Sequence, residues 1–450
     1  MTRKRVFYGV LSLLGAVLIA AAIYLNSLLP IITGYAAKNL CSAVFVSGRQ
    51  QADIESVDLN FSFIKYTRNS VNYDDNSVTS HFLWGRSKAI YRYGFGVTLL
   101  RGISEETLRK MSYPVGIKAG YSQDTIAWPL GDIVPDTLTG INLVALEEIS
   151  HKLVNGNFYN GNIFAFMVLH KGVPVAEAYK PQFTKSTRFL SWSMAKSVIN
   201  ALVGVEVKDG RIDVSQPASI EEWKDDDRSK ITLNDLMQMQ SGLQWNEDYG
   251  NRSDVTLMLH CEEDMGRFAF EKPLEYPAGS HWYYSSGTTN IVSWLLRKNF
   301  GIDSLYYKFV HNQLFNKIGA PDIIFEVDAS GTIVGSSYLY ATARDYARFA
   351  LLFQNDGIFM GEQILPEGWV KYSISPASDS NGGYGSFFWL NNDKEFPSAP
   401  ENMYMCEGHD GQYICILPDE ELIVVVLGYS PSSKGGIYLD NLLNDVLNAL

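Results

Sequence analysis

Two apolar strand pairs stand at opposite ends of one region of the chain, and they constrain its fold more than anything else in it. Ile163–His170 and Val173–Tyr179 flank Lys171-Gly172, a two-residue connection of the kind that closes a β-hairpin. Far downstream, Tyr413–Leu417 and Glu421–Leu427 repeat the pattern. A lone hairpin cannot bury its apolar face, so the two pairs are expected to join in one sheet. Between them the spacing is helical at Ile302–Phe315, Thr342–Asn355 and Gly368–Ser373, with a short glycine-stopped helix in Ile231–Leu243. Asn142–Val154 precedes the first pair as an amphipathic helix, and Leu439–Leu450 closes the chain as another. The pattern predicts an α/β domain over residues 137–450: a central, mostly antiparallel sheet built from both ends, flanked by helices, with a helical subdomain inserted. The chain's 46% hydrophobic and 13% aromatic residues supply a large core.

The N-terminus makes a different demand. Arg3, Lys4 and Arg5 precede a charge-free run from Val6 to Ala37. Its most apolar part, Val6 to Leu25, spans roughly 30 Å as a helix, enough to cross a bilayer. The basic flank predicts cytoplasm on the amino side and export of the rest. The run continues through Ile23, Tyr24 and Leu25 past the small residues Ala20–Ala22, which favours an uncleaved anchor over a signal peptide. Residues 1–30 are expected to be this anchor, in a bacterial-type inner membrane with the rest of the chain extracytoplasmic. Residues 31–136 are expected to be an extension packed on the main domain, with β-rich patches at Ser77–Trp84 and Ala89–Leu100.

Several function classes are excluded. A net charge of -12, with no basic run beyond the extreme N-terminus, argues against nucleic acid as a partner. The four cysteines, Cys41, Cys261, Cys406 and Cys415, match no zinc spacing, and the seven histidines form no His-Glu-x-x-His. No metal or cofactor is expected. Cys406 and Cys415 fall on neighbouring strands, where an exported protein has the option of a disulfide. No Gly-x-Ser-x-Gly elbow occurs, which removes the usual α/β-hydrolase arrangement.

What remains is Ser193-Met194-Ala195-Lys196 at the start of a helix running to about Val207 and ended by Asp209-Gly210. Residues three apart share a helix face, so the amine reaches the hydroxyl. An amine with a lowered pKa activates an otherwise poor alcohol nucleophile, and the free N–H groups of the helix start favour an oxyanion. Two further segments follow: Pro277–Gly287, leading into a helix near Asn290–Phe300, and Gly408-His409-Asp410-Gly411-Gln412, leading into the strand at Tyr413.

With Ser193–Lys196, these segments resemble the three ordered motifs of the class C β-lactamase-like serine hydrolases. That superfamily also holds D-Ala-D-Ala carboxypeptidases, serine esterases and 6-aminohexanoate-oligomer hydrolases. The resemblance implies that Ser193 is the nucleophile, Lys196 its base partner and Tyr284 (with Tyr283 as the neighbouring alternative) the proton shuttle to the leaving group. A phenol of ordinary pKa near 10 would need the Lys196 charge to act as phenolate. His409 and Gly411 match the third motif, with Gly411 letting substrate lie on the strand edge, and the Gln412 and Ser193 N–H groups would form the oxyanion hole. Ser286 stands where β-lactamases have Asn, and His409 where they have Lys, so the resemblance points away from penicillins and towards ester or linear amide cleavage of small or peptide-like substrates. Trp245, Asp248 and Tyr249 resemble the substrate-side loop of the nylon-oligomer hydrolases. A D-Ala-D-Ala carboxypeptidase or β-lactamase, and a membrane-bound penicillin-recognising sensor without turnover, are the alternatives.

Overall fold

The computed structural model describes residues 3–112, 114, 123–135, 141–156 and 158–450. The expected domain boundary at 136/137 lies outside these residues. The chain opens with α1 (Arg3–Phe45), a single helix. The hairpins β1 (Arg68–Asn72), β2 (Ser77–Phe82), β3 (Gly85–Arg92) and β4 (Gly96–Leu99) follow. They form one antiparallel four-stranded sheet in sequence order. Helix α2 (Leu143–Asn155) leads into β5 (Ile163–His170) and β6 (Val173–Tyr179). Then come α3 (Ala195–Lys208), α4 (Ser286–Phe300) and α5 (Ala343–Gln354). The last strands are β7 (Trp389–Leu390), β8 (Tyr404–Gly408), β9 (Gln412–Leu417) and β10 (Leu422–Gly428), and α6 (Leu439–Leu447) closes the chain.

The two strand pairs do meet. The main sheet runs β7-β8-β9-β10-β5-β6, antiparallel throughout, with β10 from the chain's end hydrogen-bonded to β5 from the domain's start. One face packs on α2 and α6 through Leu146, Ile149, Leu153, Leu442, Leu443 and Val446. The other face covers the larger core, in which α3 is buried from Ala195 to Glu206. That burial takes in the polar Lys196, Ser197, Asn200 and Glu206 as well as the apolar residues between them. Strand β8, foreshadowed only by the place given to Cys406 beside Cys415, has no clear period-two signature. It pairs Met405 with Cys415 and Cys406 with Ile414. The two cysteines alternate to opposite faces, so the optional disulfide does not form and both thiols are free and buried.

Helix α1 also departs from the expected division at residue 30: it runs through Pro30 without a break. What changes there is its surroundings. Leu11, Leu14, Leu18, Ile19 and Ile23 are exposed, whereas Leu29, Ile32, Ala36, Leu40 and Cys41 are buried against β2–β4. The buried half is bound to the main domain as well. Lys38 pairs with Glu326, which also accepts from Ser42 Oγ at 3.0 Å and the Val97 amide at 2.7 Å. Arg101 Nε donates to the His260 carbonyl at 2.7 Å. The Tyr35 ring lies 6.4 Å from Trp192 and 5.5 Å from His260.

Candidate active site

Ser193 sits in the 3₁₀ turn Trp192–Met194 that opens into α3. Trp192, immediately before it, has φ +46, a left-handed conformation costly for a large residue and retained where surrounding packing enforces it. Lys196 falls in the first turn of α3, 1% exposed. Its Nζ donates to Ser193 Oγ at 2.9 Å, to Ser286 Oγ at 3.1 Å and to the Ser336 carbonyl at 3.2 Å. Burial lowers its pKa to about 8, against the opposing pull of the Glu247 carboxylate. A substantial fraction of the amine is thus neutral near pH 8, which a general base requires.

Tyr284 lies just before the N-cap of α4, whose Ser285 side chain accepts from the Thr288 amide at 3.0 Å. Its ring stands 4.7 Å from Lys196 Nζ. Trp389 stacks on it at 5.3 Å and Tyr384 meets it edge-on at 5.8 Å. Tyr283 is 46% exposed, so the choice between the two tyrosines falls on Tyr284. Burial, then Glu247, hold the Tyr284 phenol well above its ordinary value. The expected phenolate is therefore not the resting form; Tyr284 is a neutral phenol that donates.

The carboxylate in this site is one the sequence reading missed. Glu247 accepts from Ser286 Oγ at 2.5 Å, the Ser286 amide at 2.9 Å, Trp245 Nε1 at 2.5 Å and Tyr249 OH at 3.2 Å. Ser286 accordingly bridges Lys196 and Glu247, a role that differs from the substrate contact expected of it. Trp245 packs on Gly287, where an added Cβ would come within 2.5 Å of the indole. Asp248 caps its own loop, accepting from the Gly250 amide at 2.7 Å and Asn251 Nδ2 at 2.6 Å. Alternation in an extended segment explains the split: Trp245, Glu247 and Tyr249 share a side and Asp248 takes the other.

The third motif is also rearranged. His409 lies in the turn after β8, stacked on Tyr249 at 5.0 Å and edge-on to Trp192 at 5.5 Å, with Nε2 3.4 Å from Asp410. Gly411, φ +84, makes the turn and faces Ser430. Gly408 packs against the chain's own backbone: a Cβ there would stand 2.2 Å from the Ser191 carbonyl, two residues before Ser193. Gln412 is opposite Gly408 in the hairpin. Its side chain exchanges hydrogen bonds with Gly428 on β10, 2.7 Å to the carbonyl and 3.1 Å from the amide.

The described residues hold no group of three or more His, Cys, Asp or Glu arranged to bind a metal. The arrangement is that of an activated alcohol: a hydroxyl hydrogen-bonded to a half-neutral amine, a phenol ring beside that amine, and a carboxylate one hydroxyl away.

The beta-lactamase family model matches residues 164–443, which takes in all of these groups. The 6-aminohexanoate-dimer hydrolase of Paenarthrobacter ureafaciens is 25% identical over 312 residues, covering 61% of this chain and 77% of that protein. Among solved structures, a Bacillus anthracis protein provisionally assigned as a 6-aminohexanoate-dimer hydrolase superposes with TM-score 0.58 at 22% identity, over 74% of this chain and 88% of that one. EstCE1, a hydrolase with promiscuous acyltransferase activity, gives TM-score 0.55 at 14% identity, over 68% and 98%. Motifs, sheet order and family match agree: the chain belongs to the beta-lactamase family, with its β-lactamase-like α/β fold and serine-hydrolase chemistry.

Proposed function

We propose that this protein hydrolyses ester or linear amide bonds through an acyl-enzyme on Ser193. The observation that carries the reading is the 2.9 Å contact between Ser193 Oγ and the Lys196 amine, whose pKa burial lowers to about 8. Neutral Lys196 takes the Ser193 proton as Oγ attacks the carbonyl carbon. Collapse of the tetrahedral intermediate expels the leaving group, protonated by Tyr284, which is resupplied from the Lys196 ammonium. Water then attacks the acyl-enzyme by the same groups in reverse, and Ser193 regains its proton. The Ser193 amide supplies one oxyanion donor. For the second we assign the amide of His409, next to Gly408 and the Ser191 carbonyl, in place of Gln412.

The surroundings favour substrates whose groups next to the scissile carbonyl are uncharged. Trp282, Tyr284, Tyr384 and Trp389 form one aromatic cluster beside the nucleophile, and Trp192, His409 and Tyr249 a second. With His409 in the third motif and Glu247 near the amine, a substrate carboxylate gains little there. This weighs against the carboxypeptidase and β-lactamase alternatives. The relative's substrate, an aminohexanoate dimer, is a linear amide and belongs in the test.

The same reading makes residues 6–25 of α1 an uncleaved single-pass anchor in a bacterial-type inner membrane, with the catalytic domain outside. It is supported by the exposed apolar side chains of that stretch and the Arg3-Lys4-Arg5 flank.

The test is a panel of p-nitrophenyl esters, aminohexanoate dimer and nitrocefin on the full chain, with Ser193→Ala alongside. Turnover of ester or dimer, abolished by Ser193→Ala, is expected. Undiminished turnover in Ser193→Ala rejects the assignment. Stoichiometric acylation without release would instead identify a sensor.

A further inference from the structure

The β2–β3 hairpin tip presents its largest apolar groups to the outside at a conformational cost. Phe82 pairs with Gly85, so Leu83 and Trp84 are the two turn residues. Such turns take Asn-Gly or Asp-Gly because φ is positive. Here Leu83 has φ +52 and is 61% exposed, and Trp84 is 60% exposed. Phe63, 53% exposed, packs beside them through Phe82 at 6.2 Å. Strain and exposure together, without internal packing to offset them, point to a partner outside the chain.

The position of the tip names that partner. Trp84 Nε1 donates to Asn26 Oδ1 at 2.9 Å, and Gly85 sits so close on Leu29 that a Cβ would come within 2.7 Å of it. The tip is thereby clamped to α1 at residues 26–29, where the helix passes from its exposed apolar stretch into the extension's core. Directly behind the tip, Arg68, His81 and Arg86 are register partners across β1, β2 and β3. All three are exposed, and none has an ion-pair partner among the described residues. In a chain of net charge -12, these two arginines and a histidine are a local basic row beneath an aromatic tip.

We propose that Leu83, Trp84 and Phe63 enter the headgroup layer of the bilayer that α1 crosses, with Arg68, His81 and Arg86 meeting anionic phospholipid headgroups. The proposal rests on α1 being a membrane anchor. Aromatic side chains with one polar edge settle at that depth, as Trp84 does with its N–H on Asn26. Basic groups near an anionic surface add attraction that salt screens. The docked hairpin would fix the catalytic domain's tilt on the membrane, so that Ser193 is presented at a constant height.

The experiment uses the full chain with Cys261→Ser, reconstituted in 4:1 phosphatidylcholine:phosphatidylglycerol vesicles and labelled with NBD at one introduced cysteine. The three sites are Leu83→Cys, Tyr73→Cys and Leu14→Cys. Tyr73 packs on Phe45, about 28 Å further along α1 than Asn26, and serves as the far control. With lipids brominated near the headgroup, at least twofold quenching and a blue shift are expected at 83, with neither at 73. Deeply brominated lipid should quench position 14. Omitting phosphatidylglycerol should reduce the quenching at 83, and Arg68→Glu with Arg86→Glu should abolish that dependence. A label at 83 that behaves like the one at 73 while position 14 is quenched overturns the docking and leaves the anchor standing. An unquenched position 14 overturns the anchor itself, and the docking with it.

Discussion

Among the described residues two lysines are deeply buried, and their surroundings differ. Lys38, on α1, touches its carboxylate partner Glu326 directly, and Ser42 and the Val97 amide complete the acid's hydrogen bonds. Lys196 touches only hydroxyls and a carbonyl, and its carboxylate, Glu247, stands beyond Ser286. Burial lowers the Lys38 pKa and raises that of Glu326, their direct contact opposes both shifts, and the pair joins the extension to the main domain. Interposing Ser286 leaves enough attraction to keep the Lys196 ammonium accessible, yet not enough to offset burial, and the amine can lose its proton near neutral pH. One hydroxyl of separation distinguishes a structural staple from a base.

The contrast can be broken at several points. Ser193→Ala or Lys196→Ala should lower kcat/KM by roughly 10⁴-fold or more. Tyr284→Phe should cost about 10²–10⁴-fold, falling mainly on substrates with poor leaving groups and little on p-nitrophenyl esters. Glu326→Ala leaves the Lys38 charge buried and unpaired; denaturant unfolding should show a loss of about 3–5 kcal/mol, and Lys38→Met with Glu326→Leu should recover most of it. The folded fraction of Glu326→Ala should keep its kcat. Glu247→Gln removes the attraction that raises the Lys196 pKa, so the acid limb of the pH–kcat/KM profile should move down by roughly one unit. A limb that moves up, or stays, would show that Glu247 does not set the charge of Lys196.

How much of this the sequence revealed depended on whether the relevant residues were neighbours in the chain. The Ser193–Lys196 contact follows from helical spacing, and the two strand pairs announced a sheet built from both ends. Tyr284 followed from motif register, which its contacts support. Glu247 was hidden because the loop offered two adjacent acids and the wrong one, Asp248, was singled out; the alternation Trp245-Glu247-Tyr249 was the available signal. The third motif was shifted along its hairpin because β8, Tyr404–Gly408, lacks a period-two pattern, which left Gly408 without a strand. The Lys38–Glu326 pair joins residues 288 apart and has no local signature at all. Nor did anything in the charge-free run show that α1 would continue from the apolar stretch into a protein core.

The pH dependence of the acylation burst tests the central claim most directly. With a p-nitrophenyl ester in pre-steady state, p-nitrophenol release should rise about tenfold per pH unit below 8 and level off above it, and mass spectrometry should find the acyl group on the Ser193 peptide. A burst rate flat from pH 6 to 9, or an acyl group on any other residue, would contradict the assignment of Lys196 as the base that activates Ser193.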